Sequence, residues 1–340
     1  MTLLRFLVLA GLVAVVAGWL VFMPRRPSPT GPQAVGRMEV VLRDSGGQAL
    51  PVTVWYPEGA RTPAPVILYS PGWGARRDQS SIQVENLASH GFVVVGCDDI
   101  ASDPATDPDR GNAIELGSDE ALKATIERSG RHAVLQANRV IDVLRALEGG
   151  QVPALAGKLD LGRVGAMGYS VGGAAAIQAG LIDHRIGAVL NIDGALAGPP
   201  AEQIGPQPYF LLSSREAFPT EAESNSPDPV VRNYAYISAI DIPRNKRRME
   251  QPRNYWAVIE PAVHDDLSDD LFALRRSRLF RTNFQRAAMN DSIERLEVAF
   301  FRSTLMGDDT ALRELLGKNS QTVRWISSTS PTPGTAKAQQ

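Results

Sequence analysis

The chain has 340 residues, 44% of them hydrophobic, which is ample for one large α/β domain and excludes disorder throughout. A formal net charge of -2 supplies no global field, so nothing in the charge balance argues for a nucleic-acid partner. The single cysteine, Cys97, excludes an intramolecular disulfide and a Cys-based structural zinc site.

Residues 6–23, FLVLAGLVAVVAGWLVFM, carry no charge. At roughly 1.5 Å per helical residue they nearly span a bilayer core of about 30 Å. The run ends in large residues, Trp19 to Met23, where a signal peptide has a small-x-small cleavage site. Residues 1–24 therefore read as a membrane anchor in preference to a cleaved signal. Arg5 precedes the run and Arg25 and Arg26 follow it, so the positive-inside rule leaves its orientation open. The expectation is a membrane-anchored catalytic domain outside the cytoplasm, secreted if the segment is cleaved.

Residues 25–37 are proline-rich and read as a linker, and the folded domain is expected over 38–327. Strand-like runs at 38–42 and 52–56, joined by DSGGQ, predict an antiparallel hairpin. The runs at 65–70 and 92–96 are almost unbroken apolar stretches, as in strands buried on both faces of a parallel sheet. A helical stretch at 80–90 separates them and stops at Gly91. A long helical region follows at 113–147, then a strand at 163–167 that runs through GYSVGG into the small-residue helix AAAIQAGL. Strands at 186–192, 208–213 and 255–260, the last read as the final strand, alternate with helical segments. That order predicts an α/β fold with a mostly parallel sheet flanked by helices. A helix at 292–306 should cover one face, residues 217–253 form a candidate lid insertion, and 328–340 read as a disordered tail.

Gly168-Tyr169-Ser170-Val171-Gly172 fits the G-x-S-x-G pattern between a strand and a helix. Glycines two before and two after the serine remove side chains that would collide in so sharp a turn. The helix N-terminus beyond it favours developing negative charge. Ser170 is the candidate nucleophile, and it needs a base. His90 and His184 both precede strands, the wrong end of a parallel sheet for ligand binding, and His132 lies within the long helical region. Only His264, in WAVIEPAVHDDLSDD, follows a strand late in the chain, which is where this order of residues puts the histidine. Two carboxylates compete to orient it: Asp193 after IGAVLNI and Glu216 after PYFLLSS. Strand order does not separate them, while the tight context NIDG favours Asp193. Oxyanion donors are expected from the amides of Val171 and of Trp73, the latter in the loop Pro71-Gly72-Trp73-Gly74.

VTVWYP, VILYSPGWGARRDQSSIQVENLASHGFVVVGCDD, GYSVGG, NIDGA and VHDDLSD together resemble the platelet-activating factor acetylhydrolase and dienelactone hydrolase-like branch of the α/β-hydrolases. The resemblance implies the α/β-hydrolase fold and places the acid at Asp193. In the related polyester-hydrolase and cutinase-like group the acid lies one strand later, at the place of Glu216. The acetylhydrolases have His-Gly where this chain has Pro71-Gly72, which weakens the case for phospholipid acetyl groups as the substrate.

Two stretches rich in carboxylates, 98–109 and 264–270, lack EF-hand spacing and read as a solvated acidic loop and a helix start, with no metal. The basic stretch 243–253 reads as a solvated face rather than a contact for anionic headgroups. The sequence thus predicts a serine hydrolase of small or lipid-like carboxylic esters that needs no cofactor. The alternatives are a catalytically silent envelope scaffold or a hydrolase of amide or polyester bonds.

Overall fold

The computed structural model describes residues 18, 21–60, 62–102, 114–274 and 281–328. Nine strands form a single sheet: β1 (Val35–Arg43), β2 (Ala49–Pro57), β3 (Ala64–Ser70), β4 (Val93–Cys97), β5 (Leu159–Tyr169), β6 (Ile186–Ile192), β7 (Tyr209–Ser214), β8 (Asn254–Ile259) and β9 (Val323–Ser328). Their spatial order is β1-β2-β4-β3-β5-β6-β7-β8-β9. The central strands from β4 to β8 pair in parallel, while β1 with β2, β2 with β4, and β8 with β9 are antiparallel. The ladder β9 corrects the expectation that the strand at 255–260 is the last.

Alternation along the strands divides the core in two. Val66, Leu68, Val93 and Val95 face one layer, with helices α2 (Asp119–Glu148) and α3 (Val171–Ile182). Ile67, Tyr69 and Val94 face the other, with α1 (Ser81–Ser89) and the later helix at Asn283–Phe301. This is the period of two that strands impose, and apolar residues at both phases explain the unbroken runs in the sequence. The insertion after β7 contains α4 (Glu221–Ser224) and α5 (Pro229–Arg248), and α6 (Asn283–Phe301) and α7 (Thr310–Leu315) complete the order. Helix α6 begins well before the expected 292, at a capping box in which Thr282 and Gln285 satisfy each other's main-chain N–H groups.

The expected linker is bound to the domain. Arg26 pairs with Glu85, the Thr30 N–H donates to Asn86 Oδ1, and the Gly31 N–H donates to Ser89 Oγ, so the segment lies along α1. Most of the proposed membrane segment, residues 6–17, 19 and 20, lies outside the described residues, as does the tail beyond 328. Among the described residues no helix is long and apolar enough to cross a membrane.

Candidate active site

The elbow follows from backbone crowding. Ser170 closes β5 and opens α3 with φ 56° and ψ -128°, in the left-handed half of the map where a side chain is strained. A Cβ on Gly168 would lie 2.0 Å from the Gly172 carbonyl oxygen, and one on Gly172 would lie 2.2 Å from that of Ser70. Only glycine lets the strand, the helix and the loop after β3 approach so closely, and this puts Val171 beside the Trp73 loop.

Asp193 ends β6, also with positive φ (52°). Its turn is pinned by Asn191, whose Oδ1 accepts the Gly194 N–H at 2.8 Å and whose Nδ2 donates to the Gly194 carbonyl at 2.9 Å. The Asp193 carboxylate accepts the Ser214 N–H through Oδ1 (2.8 Å) and meets His264 Nδ1 through Oδ2 (2.8 Å). On the other side of the ring, His264 Nε2 lies 3.0 Å from Ser170 Oγ. The structure therefore brings Ser170, His264 and Asp193 into one continuous chain of hydrogen bonds. Tyr169 stacks on the imidazole and donates its hydroxyl to the His264 carbonyl. Glu216 is also present, but it reaches the main chain: its Oε2 accepts the His264 N–H at 2.8 Å.

Burial works against a charged imidazole, yet the hydrogen bond to Asp193 and the negative field of Asp193, Asp265 and Glu216 outweigh it. The His264 pKa consequently stands above the ordinary histidine value. Trp73 and Val171 line the same cavity as Ser170, as the expected positions of the two oxyanion amides require. That cavity, about 200 Å³, is walled mainly by apolar side chains, among them Ile126, Leu196, Leu211, Ile237 and Trp256. Helix α5 supplies one wall and is fastened at both ends. Asn233 Nδ2 donates to the Leu116 carbonyl, and Asp241 Oδ2 accepts the Leu196 N–H.

The other histidines are apart from this chain. His90 meets Thr30 at the opposite end of the sheet, and His184 is exposed in a turn. His132 is buried against Asp99. Among the described residues no group of three or more His, Cys, Asp or Glu side chains is placed to hold a metal ion. The acidic stretches have structural partners instead. Asp98 pairs with Arg77, Asp266 with Arg281, and Asp269 accepts the Ile82 N–H at the start of α1. Asp98, half-buried, and Asp99, fully buried, are thereby corrected from a solvated loop to structural supports that the sequence reading missed. Within the basic stretch Arg248 is buried, against the Pro200 and Gln203 carbonyls, while Lys246, Arg247 and Arg253 are exposed as expected.

Comparison with known proteins agrees with this architecture. A ferulic acid esterase from Streptomyces cinnamoneus superposes with a TM-score of 0.64 over 89% of this chain and 99% of its own, at 20% identity. Residues 26–194 match the PETase family model, described as PET hydrolase-like. The chain has the α/β-hydrolase fold. No curated protein sequence matches it significantly. The family match includes Ser170 and Asp193 and ends before the α4–α5 insertion and before His264.

Proposed function

We propose that this α/β-hydrolase is a serine ester hydrolase that works through an acyl-enzyme, with Ser170 as nucleophile, His264 as base and Asp193 as the acid that orients it. The observation that carries the reading is the unbroken Asp193–His264–Ser170 hydrogen-bond chain at the wall of an apolar cavity. His264 Nε2 takes the Ser170 proton as Oγ attacks the ester carbonyl, and Asp193 stabilises the imidazolium that results. The Trp73 and Val171 amides receive the oxyanion, and the imidazolium then protonates the leaving alcohol. Water activated by the same imidazole releases the acid from Ser170. None of these steps calls on a cofactor.

The cavity supports a small or lipid-like ester as substrate. Its apolar walls suit a hydrocarbon acyl or alcohol group, and α5 closes one side of the space that an extended polymer strand would need. The PET hydrolase-like and ferulic acid esterase likenesses favour ester over amide bonds, and the α4–α5 insertion lies beyond the matched segment. Residues 6–23 tether the domain to a membrane in this reading.

A fluorophosphonate probe and a series of p-nitrophenyl esters of increasing chain length test the proposal. The folded protein should form one covalent adduct, on Ser170, and Ser170→Ala should abolish both labelling and hydrolysis. A folded wild-type protein that neither labels nor hydrolyses would make the chain a silent scaffold.

A further inference from the structure

A second buried histidine–aspartate pair lies behind the oxyanion loop. Asp99, two residues beyond β4, is fully buried, and His132, in the middle of α2, is 4% exposed. His132 Nε2 donates to Asp99 Oδ2 at 2.7 Å. The other carboxylate oxygen, Oδ1, accepts the main-chain N–H of Gly74 at 2.8 Å, and the Asp99 N–H donates back to the Ala75 carbonyl. The face of the same imidazole stacks on the Trp73 indole, with ring centroids 4.0 Å apart and planes 22° from parallel. Trp73 is therefore held twice, through its ring and through the main chain of the next residue. Further along the loop Asp98 accepts the Arg77 N–H and pairs with the Arg77 guanidinium.

An oxyanion donor acts only if its N–H already points to where the charge will develop, within about 0.5 Å of the productive place. Val171 meets this requirement from the first turn of a helix. Trp73 sits in a loop beside Gly72 and Gly74, the latter at φ +65°, in a turn where the Ala75 N–H donates to the Gly72 carbonyl and the Gly72 N–H to Gln79 Oε1, bonds that flank Trp73 without holding its ring. We propose that His132 and Asp99 form a positioning pair that fixes the Trp73 amide in its oxyanion-donating orientation before substrate binds. The inference rests on the reading of Ser170 as nucleophile and Trp73 as donor. Asp99 holds the loop backbone, and His132 holds Asp99 in place with its Nε2 proton and the indole with its ring.

Three variants separate the two contacts: His132→Phe keeps the stacked ring, His132→Gln keeps a donor, and Asp99→Asn keeps the shape but loses the charge. His132→Phe and Asp99→Asn should lower kcat by about ten- to a hundredfold with KM within twofold, a fraction of the loss expected for a whole oxyanion donor. Combining them should cost no more than Asp99→Asn alone, because the two residues act as one unit. His132→Gln should recover part of the loss. The deciding readout uses two inhibitors of the same shape: a trifluoromethyl ketone, which forms an oxyanion on Ser170, and the corresponding ether, which does not. Affinity for the ketone should fall by the same factor as kcat/KM, and affinity for the ether should stay within twofold. Equal losses for both inhibitors, wild-type kcat in the folded variants, or full additivity would overturn the proposal. If His132→Phe does not fold, the same comparison on Asp99→Asn and His132→Gln decides it. Hydrolysis by Ser170→Ala at the wild-type rate would instead refute the underlying nucleophile assignment, an outcome these variants do not mimic.

Discussion

Asp193 and Glu216 both reach His264, but at atoms with different chemical consequences. Asp193 meets the ring nitrogen opposite Ser170, whereas Glu216 accepts the main-chain N–H. Asp193→Asn should lower turnover by roughly ten-thousandfold, the scale seen when an orienting carboxylate becomes an amide. Glu216→Gln retains an oxygen acceptor and should stay within a few-fold of wild type. The two variants should differ in pH profile as well. Activity needs neutral His264, so kcat/KM falls as pH drops through its pKa, which the surrounding carboxylates hold above the ordinary value. Glu216→Gln removes one negative neighbour and should move that acid limb to lower pH with little change in the plateau. A plateau that collapses in Glu216→Gln and survives in Asp193→Asn would show the acid assigned to the wrong residue, and an unmoved limb in Glu216→Gln would show that Glu216 does not set the His264 pKa. The sequence made Ser170, His264 and the two candidate acids legible because each follows a strand, and the tight context NIDG, not strand order, favoured Asp193 over Glu216. His132 and Asp99 were not legible, since 33 positions separate them in the chain. Their contact exists only once α2 packs across β4, and a histidine on the buried face of a long helix carries no local mark of its partner.

At the scale of elements, α6 combines strong packing with an electrostatic liability. Met289, Ile293, Leu296, Phe300 and Phe301 are buried against the sheet. Glu297 is fully buried on the same helix, and neither of its carboxylate oxygens has a hydrogen-bond partner among the described residues. Desolvation, reinforced by Glu294, pushes its pKa well above 4.5, and burial also lifts Glu294 to about 7. A carboxyl whose folded pKa is raised favours the fold fully below its unfolded pKa, and that contribution is lost as pH rises through the folded value. Glu297→Gln should therefore raise Tm at pH 8 by several degrees and change it little at pH 5. The same gain at both pH values would mean that packing, not ionisation, sets the difference. The sequence anticipated this helix but placed its start too late, because residues 283–291 carry Arg286 and Asn290 where an apolar stripe was sought, and both turn out to be buried. Strand β9 was hidden for a related reason. VRWISS adjoins a Ser-, Thr- and Pro-rich end, and its partner, the edge of β8, is more than 60 residues away.

Across the whole molecule, the segment between the apolar N-terminus and β1 is packed onto the domain. Arg26 contacts Ser81 and Glu85, and the Thr30, Gly31 and Gln33 N–H groups all bond to α1. A Cβ on Gly31 would fall 2.2 Å from the Ser89 carbonyl, so the strap lies directly on the helix backbone. Nearer the N-terminus, the Arg286 guanidinium of α6 donates to the Phe22 carbonyl. The sequence read residues 25–37 as a linker because prolines and small polar residues suggest an unpaired chain. The same composition suits a strap, whose main-chain N–H groups need partners on one side only. Two truncations distinguish the roles. A chain starting at residue 25 should move from the membrane fraction to the soluble fraction and keep the full-length Tm to within a few degrees. A chain starting at residue 35 loses four main-chain hydrogen bonds, those of the Thr30, Gly31 and Gln33 N–H groups and that of the Ala34 carbonyl, worth about 1 kcal/mol each, and an exposed ion pair worth less. Its Tm should fall by about 5 °C relative to the first truncation, given the usual few degrees per kcal/mol for a domain of this size. Equal Tm values in the two truncations would reduce the strap to a passive spacer. Full-length protein that leaves the membranes in a carbonate wash would remove the tether itself.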